Sequence, residues 1–241
     1  MLSNVELLAI KKLYPGLDLV QREEKYFLAG ELHFCAFYDS TLDVLTIRTA
    51  QNAGKNDGFI EDRFKIEIEL LSDFPKSFPC VRELGGRMEQ IVKKYDIKNI
   101  CDLHVNKNQN NTVCLCPKPA ERLRYPDKVD IVHFLNNLVT PFFYGLSYYD
   151  KHKKWPWNEY SHGDLGIFEF YAENADKQDD ALAKSCYDVL KDESKKLIQV
   201  KKNIKGHWPC VCESQKKFRN CHNLALHGIW ALKNMSKQIV L

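Results

Sequence analysis

The chain opens on a helical period. Ser3 with Glu6 three residues later has the form of a capping box, and Val5, Leu8, Ala9 and Leu13 fall on one stripe with Lys11 turned away. This pattern predicts a helix over residues 4–14, stopped by Pro15-Gly16. The period then changes to two. Tyr26 to Tyr38 is rich in aromatics, and Leu42 to Thr49 is apolar and β-branched. From Phe64 to Leu70, Phe64, Ile66 and Ile68 share one face while Lys65, Glu67 and Glu69 share the other. A polar turn or longer loop, 51–58, separates the second and third runs. These runs predict an antiparallel meander of three or four strands. Phe74-Pro75-Lys76-Ser77-Phe78-Pro79 then excludes both helix and central strand, because each proline removes a backbone donor.

Further along, residues 88–95 suit a short helix, and the polar stretch 103–112 reads as a loop. Val129 to Tyr144 predicts a helix with Ile131, Phe134, Leu135, Leu138 and Phe142 on its apolar face and Pro141 bending its end. Trp155-Pro156-Trp157 is an extended aromatic segment. Residues 163–190 look mostly helical. Residues 191–205 carry Asp192, Glu193 and six lysines, the mark of a solvated helix or linker. A last module runs from Gly206 to Leu241.

Composition narrows the class. The 241 residues are 44% hydrophobic and 28% charged, ordinary for a globular protein with a real core. Lys plus Arg total 35 against 32 acids, a balance too even to argue for nucleic acid. No apolar run reaches the roughly 18 residues of a membrane helix, and the N-terminus lacks the layout of a signal peptide. Nine cysteines without such a signal predict reduced thiols in a cytoplasmic protein. Cys35, Cys80 and Cys186 fit as small core residues; the clustered remainder carries candidate chemistry.

The first cluster lies in His104-Val105-Asn106 and Cys114-Leu115-Cys116, with Cys114 ten positions after His104. A thiol just past a polar loop, with an amide upstream to stabilise an oxyanion, suits acyl transfer through a thioester. Asn106 is the candidate oxyanion donor. His104 is expected to fix the loop through backbone hydrogen bonds rather than to act as general base. Cys116 makes a Cys-x-Cys pair with Cys114 and reads either as a small buried neighbour or as a second working thiol. Cys101 is the runner-up nucleophile. The second cluster is Cys210-x-Cys212, eight residues, then Cys221-His222. Three thiolates and an imidazole fill a tetrahedral zinc site with no open position, which predicts structural zinc and argues against a zinc hydrolase. His207 and His227 are expected outside this shell.

These features resemble the ubiquitin-conjugating (UBC) family: an N-terminal helix, a four-stranded antiparallel meander, a proline turn at Phe74–Pro79, the triad His104-Val105-Asn106, a cysteine ten residues after the histidine, then helices. Val105 stands where the family has proline, and Phe78 where it has the first proline of a pair. The stretch His162 to Tyr171 and Trp155-Pro156-Trp157 are similar to bacterial stand-alone members associated with cyclic-oligonucleotide antiphage operons (CBASS, the short type without a separate activating enzyme). The resemblance implies an α+β conjugating domain over 1–175. It also implies a thioester between Cys114 and the C-terminus of a partner protein, a cGAS-like nucleotidyltransferase, with transfer to an amine. The alternative is a catalytically inactive adaptor that recruits its partner through the zinc module. The segment from Trp208 to His222 resembles the SEC-C motif, with Glu213-Ser214-Gln215 in place of the usual Gly-Ser-Gly. The expected layout is therefore a conjugating domain (1–175), a charged helical linker (176–205) and a SEC-C-like zinc module (206–241).

Overall fold

In the computed structural model, Ser3 caps the first helix, α1 (Asn4–Leu13). The Ser3 hydroxyl accepts from the Glu6 N–H at 3.3 Å, and the Glu6 carboxylate accepts from the Ser3 N–H at 2.7 Å. The structure describes residues 2–48, 58–74, 76–106, 111–124, 130–175, 180–200 and 204–236. The helix turns a different stripe inward from the one its sequence suggested. Ile10 is buried and Leu7 and Leu13 pack against the core, while Val5 and Leu8 are 76% and 73% exposed. Tyr14, just past the helix end, settles the choice. Its buried hydroxyl donates to Asn136 Oδ1 at 2.5 Å and lies 3.1 Å from Thr140 Oγ1. That anchors the face shared by Ile10 and Leu13.

Five strands follow: β1 (Leu17–Arg22), β2 (Lys25–Asp39), β3 (Val44–Arg48), β4 (Ile60–Leu70) and β5 (Cys80–Glu83). All pairings are antiparallel. β2 is long enough to serve three partners. Along one edge it pairs β1 from Lys25 to Gly30 and β3 from Cys35 to Asp39; along the other it pairs β4 from Tyr26 to Ala36. The order is therefore β1-β2-β4-β5, with β3 branching off β2. This corrects the simple meander: the strand expected at 42–49 does not lie between its chain neighbours. β1 went unread because its hairpin turn carries no glycine or asparagine. Glu23, with φ of 54°, takes the left-handed position instead. Gly30, with φ of 141°, sits where a Cβ would collide with the Gly16 carbonyl that accepts from Glu31 N–H at 2.9 Å.

The alternation read in β4 is present, with one addition. Phe64, Ile66 and Ile68 are buried in the core. On the opposite face Glu67 and Glu69 are buried as well, which the sequence did not suggest. Their charges are balanced by Lys25 (2.7 Å to Glu69), Arg82 (3.2 Å to Glu69) and Arg22, which pairs with Glu67. At the start of β4, Asp62 joins three elements. It accepts two hydrogen bonds from Arg87 (3.1 Å each) in α2 (Arg87–Tyr95), and one from Ser147 Oγ (2.6 Å) in a later helix. Arg87 also reaches Asp150 at 3.3 Å, and Lys94 reaches it at 2.7 Å.

After a short helix α3 (Glu121–Arg124), the expected helix at 129–144 begins as α4 (Ile131–Phe134). It passes through a π-helical turn (Leu135–Val139) and continues as α5 (Thr140–His152). Ile131, Phe134, Leu135, Leu138 and Phe142 are all buried, as the periodicity predicts. Pro141 acts upstream rather than at the end. Having no N–H, it cannot bond the carbonyl four residues back, and Thr140 N–H instead bonds the Leu135 carbonyl five back. Phe143 closes the core on Phe64 with ring centroids 4.8 Å apart.

The chain divides into two compact units. The first holds Met1–Cys116 and Glu121–Asn158; the second holds Pro117–Ala120 and Glu159–Leu241. The second contains α6 (Asp164–Asn174), α7 (Asp180–Val189), α8 (Asp192–Val200), α9 (Phe218–Cys221) and α10 (Asn223–Ser236). Gly228 of α10 lets it close on the backbone of α6: a Cβ there would collide with the Phe168 carbonyl. The expected domain edges at 175 and 205 both fall inside this unit, and Ile198 and Ile204 are buried in it. Among the described residues of this charged stretch, Ile198 and Ile204 are packed while Asp192, Glu193 and Lys196 are exposed.

Burial alone would raise the Asp62 carboxyl, but the hydrogen bonds from Arg87 and Ser147 outweigh it and hold it below the usual carboxylate range. A depressed carboxyl stabilises the fold above its unfolded pKa, and that contribution disappears as pH falls through the folded value. Asp62→Asn should destabilise the protein by about 1–3 kcal/mol at pH 7. The gap from wild type should close as pH drops below about 4. Urea unfolding of both proteins at several pH values measures it.

Candidate functional site

The candidate thiol is placed by backbone bonds. A 3-10 turn, Ile100–Leu103, is capped by Asn99, whose side chain accepts from Cys101 N–H at 3.1 Å. His104 ends that turn with φ of 55°, in the left-handed region. Its N–H bonds the Cys101 carbonyl at 2.8 Å. The chain then enters β6 (Val105–Asn106), which pairs with β7 (Thr112–Val113): Val105 faces Val113 and Asn106 faces Thr112. The stretch read as a loop at 103–112 is thus closed at its ends by a short ladder; residues 107–110 lie outside the described residues. One rung beyond, Cys114 N–H donates to the His104 carbonyl at 2.6 Å. Leu103, Val105, Thr112 and Val113 are buried, so the ladder is anchored in the core.

Cys101, His104, Asn106 and Cys114 therefore lie along one turn and the ladder that follows it, with Cys116 two residues beyond. Cys114 is half-buried, and its thiol donates to the Cys116 carbonyl oxygen at 3.4 Å. The chain bends at Cys116 rather than continuing straight. Cys116 is half-buried and packs against the core. Cys101, also half-buried, shares the His104 hinge with Cys114, each joined to it by a backbone bond. Asn106 is half-buried, two rungs along the ladder from Cys114. One neighbour went unread: the Trp155 ring packs against the His104 imidazole, centroids 5.0 Å apart and planes at 68°. The aromatic composition of Trp155-Pro156-Trp157 was visible, but nothing in it pointed to His104, 51 positions earlier in the chain.

In the second unit, Cys210, Cys212, Cys221 and His222 form a cluster that could hold a metal ion, with all four ligand atoms within 4.8 Å of one another. A short antiparallel bridge builds it. Pro209 pairs with Lys217, Cys210 N–H donates to the Lys216 carbonyl and Phe218 N–H to the Trp208 carbonyl, both at 2.8 Å. The buried Phe218 starts α9, whose end delivers Cys221 and then His222. Cys210 Sγ lies 3.2 Å from His222 Nδ1, and Cys212 Sγ lies 3.5 Å from Cys221 Sγ. A tetrahedral ion with metal–sulfur bonds of about 2.3 Å holds its ligand atoms roughly 3.4–3.8 Å apart; the 3.5 Å sulfur pair falls in that range and the 3.2 Å sulfur–nitrogen pair just below it. Burial pushes the Cys210 thiol up to about 11, while hydrogen bonds with the Ser214 side chain and backbone pull Cys212 down to about 6. His207 and His227 are not members of the cluster; the His227 ring stacks on Trp230 instead, at 5.6 Å.

Comparison with protein-family models, with curated proteins and with solved structures gives no match. Among the described residues, no helix is long and apolar enough to cross a membrane.

Glu213 and Gln215 flank Ser214 with φ of 63° and 60°. Left-handed backbone costs a non-glycine residue roughly 1–2 kcal/mol. Glu213→Gly and Gln215→Gly should each stabilise the folded knuckle by about 1 kcal/mol, after allowing for the greater freedom of glycine in the unfolded chain. The readout is the chelator concentration that strips half the bound metal, which should rise in each variant.

Proposed function

We propose that this chain is a UBC-like thioester carrier that accepts the C-terminus of a partner protein on Cys114 and passes it to an amine. The single observation that carries the reading is the seating of Cys114. Its backbone is fixed to His104, the residue is only half-buried, and Asn106 stands on the same ladder. The order of elements supports it too. A capped helix, the antiparallel path β1-β2-β4-β5, a turn bearing Phe78 and Pro79, the thiol loop and then helices follow the family's sequence of parts. The partner in this reading is a cGAS-like nucleotidyltransferase, by the chain's likeness to the CBASS-associated members.

The chemistry needs no cofactor, because the donor arrives already activated. The thiol first gives up its bond to the Cys116 carbonyl and passes its proton to solvent. The sulfur then attacks the donor carbonyl, a new S–C bond forms and the donor's leaving group departs. An acceptor amine next attacks the thioester carbonyl. Negative charge builds on the carbonyl oxygen, where the Asn106 side-chain N–H donates. The C–S bond breaks, the amide forms with the amine's proton passing to solvent, and the Cys114 thiolate is regained. His104 serves through its backbone, holding the cysteine, rather than as general base. The cluster at Cys210, Cys212, Cys221 and His222 is read as structural zinc: three sulfurs and one nitrogen leave no coordination position open for substrate. Metal binding would then drive the folding of the knuckle.

Incubated with activated donor, wild-type protein should form an adduct that reductant or excess thiol reverses. Cys114→Ala should form none, whereas Cys101→Ala and Cys116→Ala should still form it. Asn106→Ala should load normally but discharge to amine roughly 10²–10³ more slowly. An undiminished adduct on Cys114→Ala would overturn the assignment. The absence of any adduct on wild type would favour the adaptor reading. Elemental analysis should find one zinc per chain, lost in Cys212→Ser.

A further inference from the structure

We infer that Trp155 is the positioning residue of the thiol loop, acting on Cys114 through His104; the inference rests on Cys114 being the working thiol. Trp155 is 6% exposed and is held from one side by α5. Gly145 makes room for it: a Cβ there would lie 2.6 Å from Trp155 and 2.8 Å from Trp157. On its other side the indole meets the His104 ring at 5.0 Å. His104 in turn has the left-handed φ of 55° and offers its carbonyl to Cys114 N–H at 2.6 Å. The path Gly145–Trp155–His104–Cys114 is thus continuous, and every member lies in the first unit.

Two observations set Trp155 apart from an ordinary core residue. Its indole N–H is buried with no hydrogen-bond partner among the described residues. Burying a donor that way is a cost. The aromatic ring nevertheless spans from α5 to the imidazole. The second observation is the conformation it leans on. A histidine at positive φ relaxes to ordinary backbone unless its surroundings prevent it. Relaxation would swing the carbonyl away from Cys114 N–H and free the thiol-bearing residue. The ring contact opposes that motion at the side chain, while the ladder opposes it at the backbone.

The test is a double-mutant cycle read on Cys114 itself. A glycine at 104 favours positive φ without a ring, so it removes what Trp155 acts on while keeping the backbone shape. Full-length protein loaded with zinc is treated with limiting iodoacetamide, and the alkylation rate of the Cys114 peptide is followed by mass spectrometry. Trp155→Ala should change that rate by about fivefold or more in the His104 background and less than about twofold in the His104→Gly background. Trp155→Phe, which keeps a ring against the imidazole, should stay within about twofold of wild type. Where Trp155→Ala does not fold, Trp155→Leu fills the space without an aromatic ring and is judged by the same two numbers. An equal change in both backgrounds, no change in either, or a phenylalanine variant as altered as alanine overturns the inference. Because alkylation needs no acyl donor, the result is readable even if wild-type protein forms no thioester.

Discussion

One left-handed residue decides where the candidate thiol sits. At His104 the chain leaves a 3-10 turn and enters a two-residue strand, and only a positive φ lets it do both at once. The same geometry aims the residue's two backbone groups at its neighbours, the N–H at the Cys101 carbonyl and the carbonyl at the Cys114 N–H. Such a conformation persists in a non-glycine residue only where the surroundings over-determine it. Here they do, through the buried Leu103, Val105 and Val113 on the backbone side and the Trp155 ring on the imidazole side. The result is a half-buried cysteine whose backbone is held in place, an arrangement compatible with the proposed thioester chemistry.

The metal-ligand cluster solves the same problem by other means. It too relies on positive φ in non-glycine residues, Glu213 and Gln215, on the chain between Cys212 and Cys221. Its surroundings offer far less: Phe218 is the one residue of the 208–222 stretch, besides Cys210, that is buried among hydrophobic neighbours. Where packing cannot hold a strained turn, ligation can, because bonds to a shared ion tie the ends of the turn together. The thiol loop is thus held by core, while the Cys210–His222 turn would be held by coordination if it binds an ion as proposed.

The legibility of the chain follows the same division. Local signals were readable. Ser3 and Glu6 do form the capping box, the buried face of α4 through α5 is the one the periodicity named, and the four ligands converge as their spacing implied. Choices made by distant residues were not. Val5 and Leu8 had helical spacing as good as that of Leu7 and Ile10, and only Tyr14's hydrogen bonds to Asn136 and Thr140 pick between the stripes. β3 looks like any strand until β4 takes the opposite edge of β2. Glu67 and Glu69 read as a solvated face because their partners, Arg22, Lys25 and Arg82, lie on other strands. Cys114 and His104 stand out by spacing; the Trp155 ring that packs on His104 does not, because an aromatic contact between distant segments leaves no period.

The fold then connects its charge network to the loop through rigid parts. Asp62 ties β4 to α5 through Ser147, and two residues earlier on that helix Gly145 receives Trp155. The helix is therefore fixed at one point by charge-assisted hydrogen bonds, which have preferred directions, and loaded at a neighbouring point by an aromatic ring, which does not. An apolar contact alone would let the ring slide along the helix; a polar clasp alone would leave the imidazole unbraced. Together they define both the position and the orientation of the surface on which His104 rests. On this argument the ion cluster around Asp62 has a purpose beyond its own modest stabilisation. It sets the frame in which a strained histidine can hold a cysteine still.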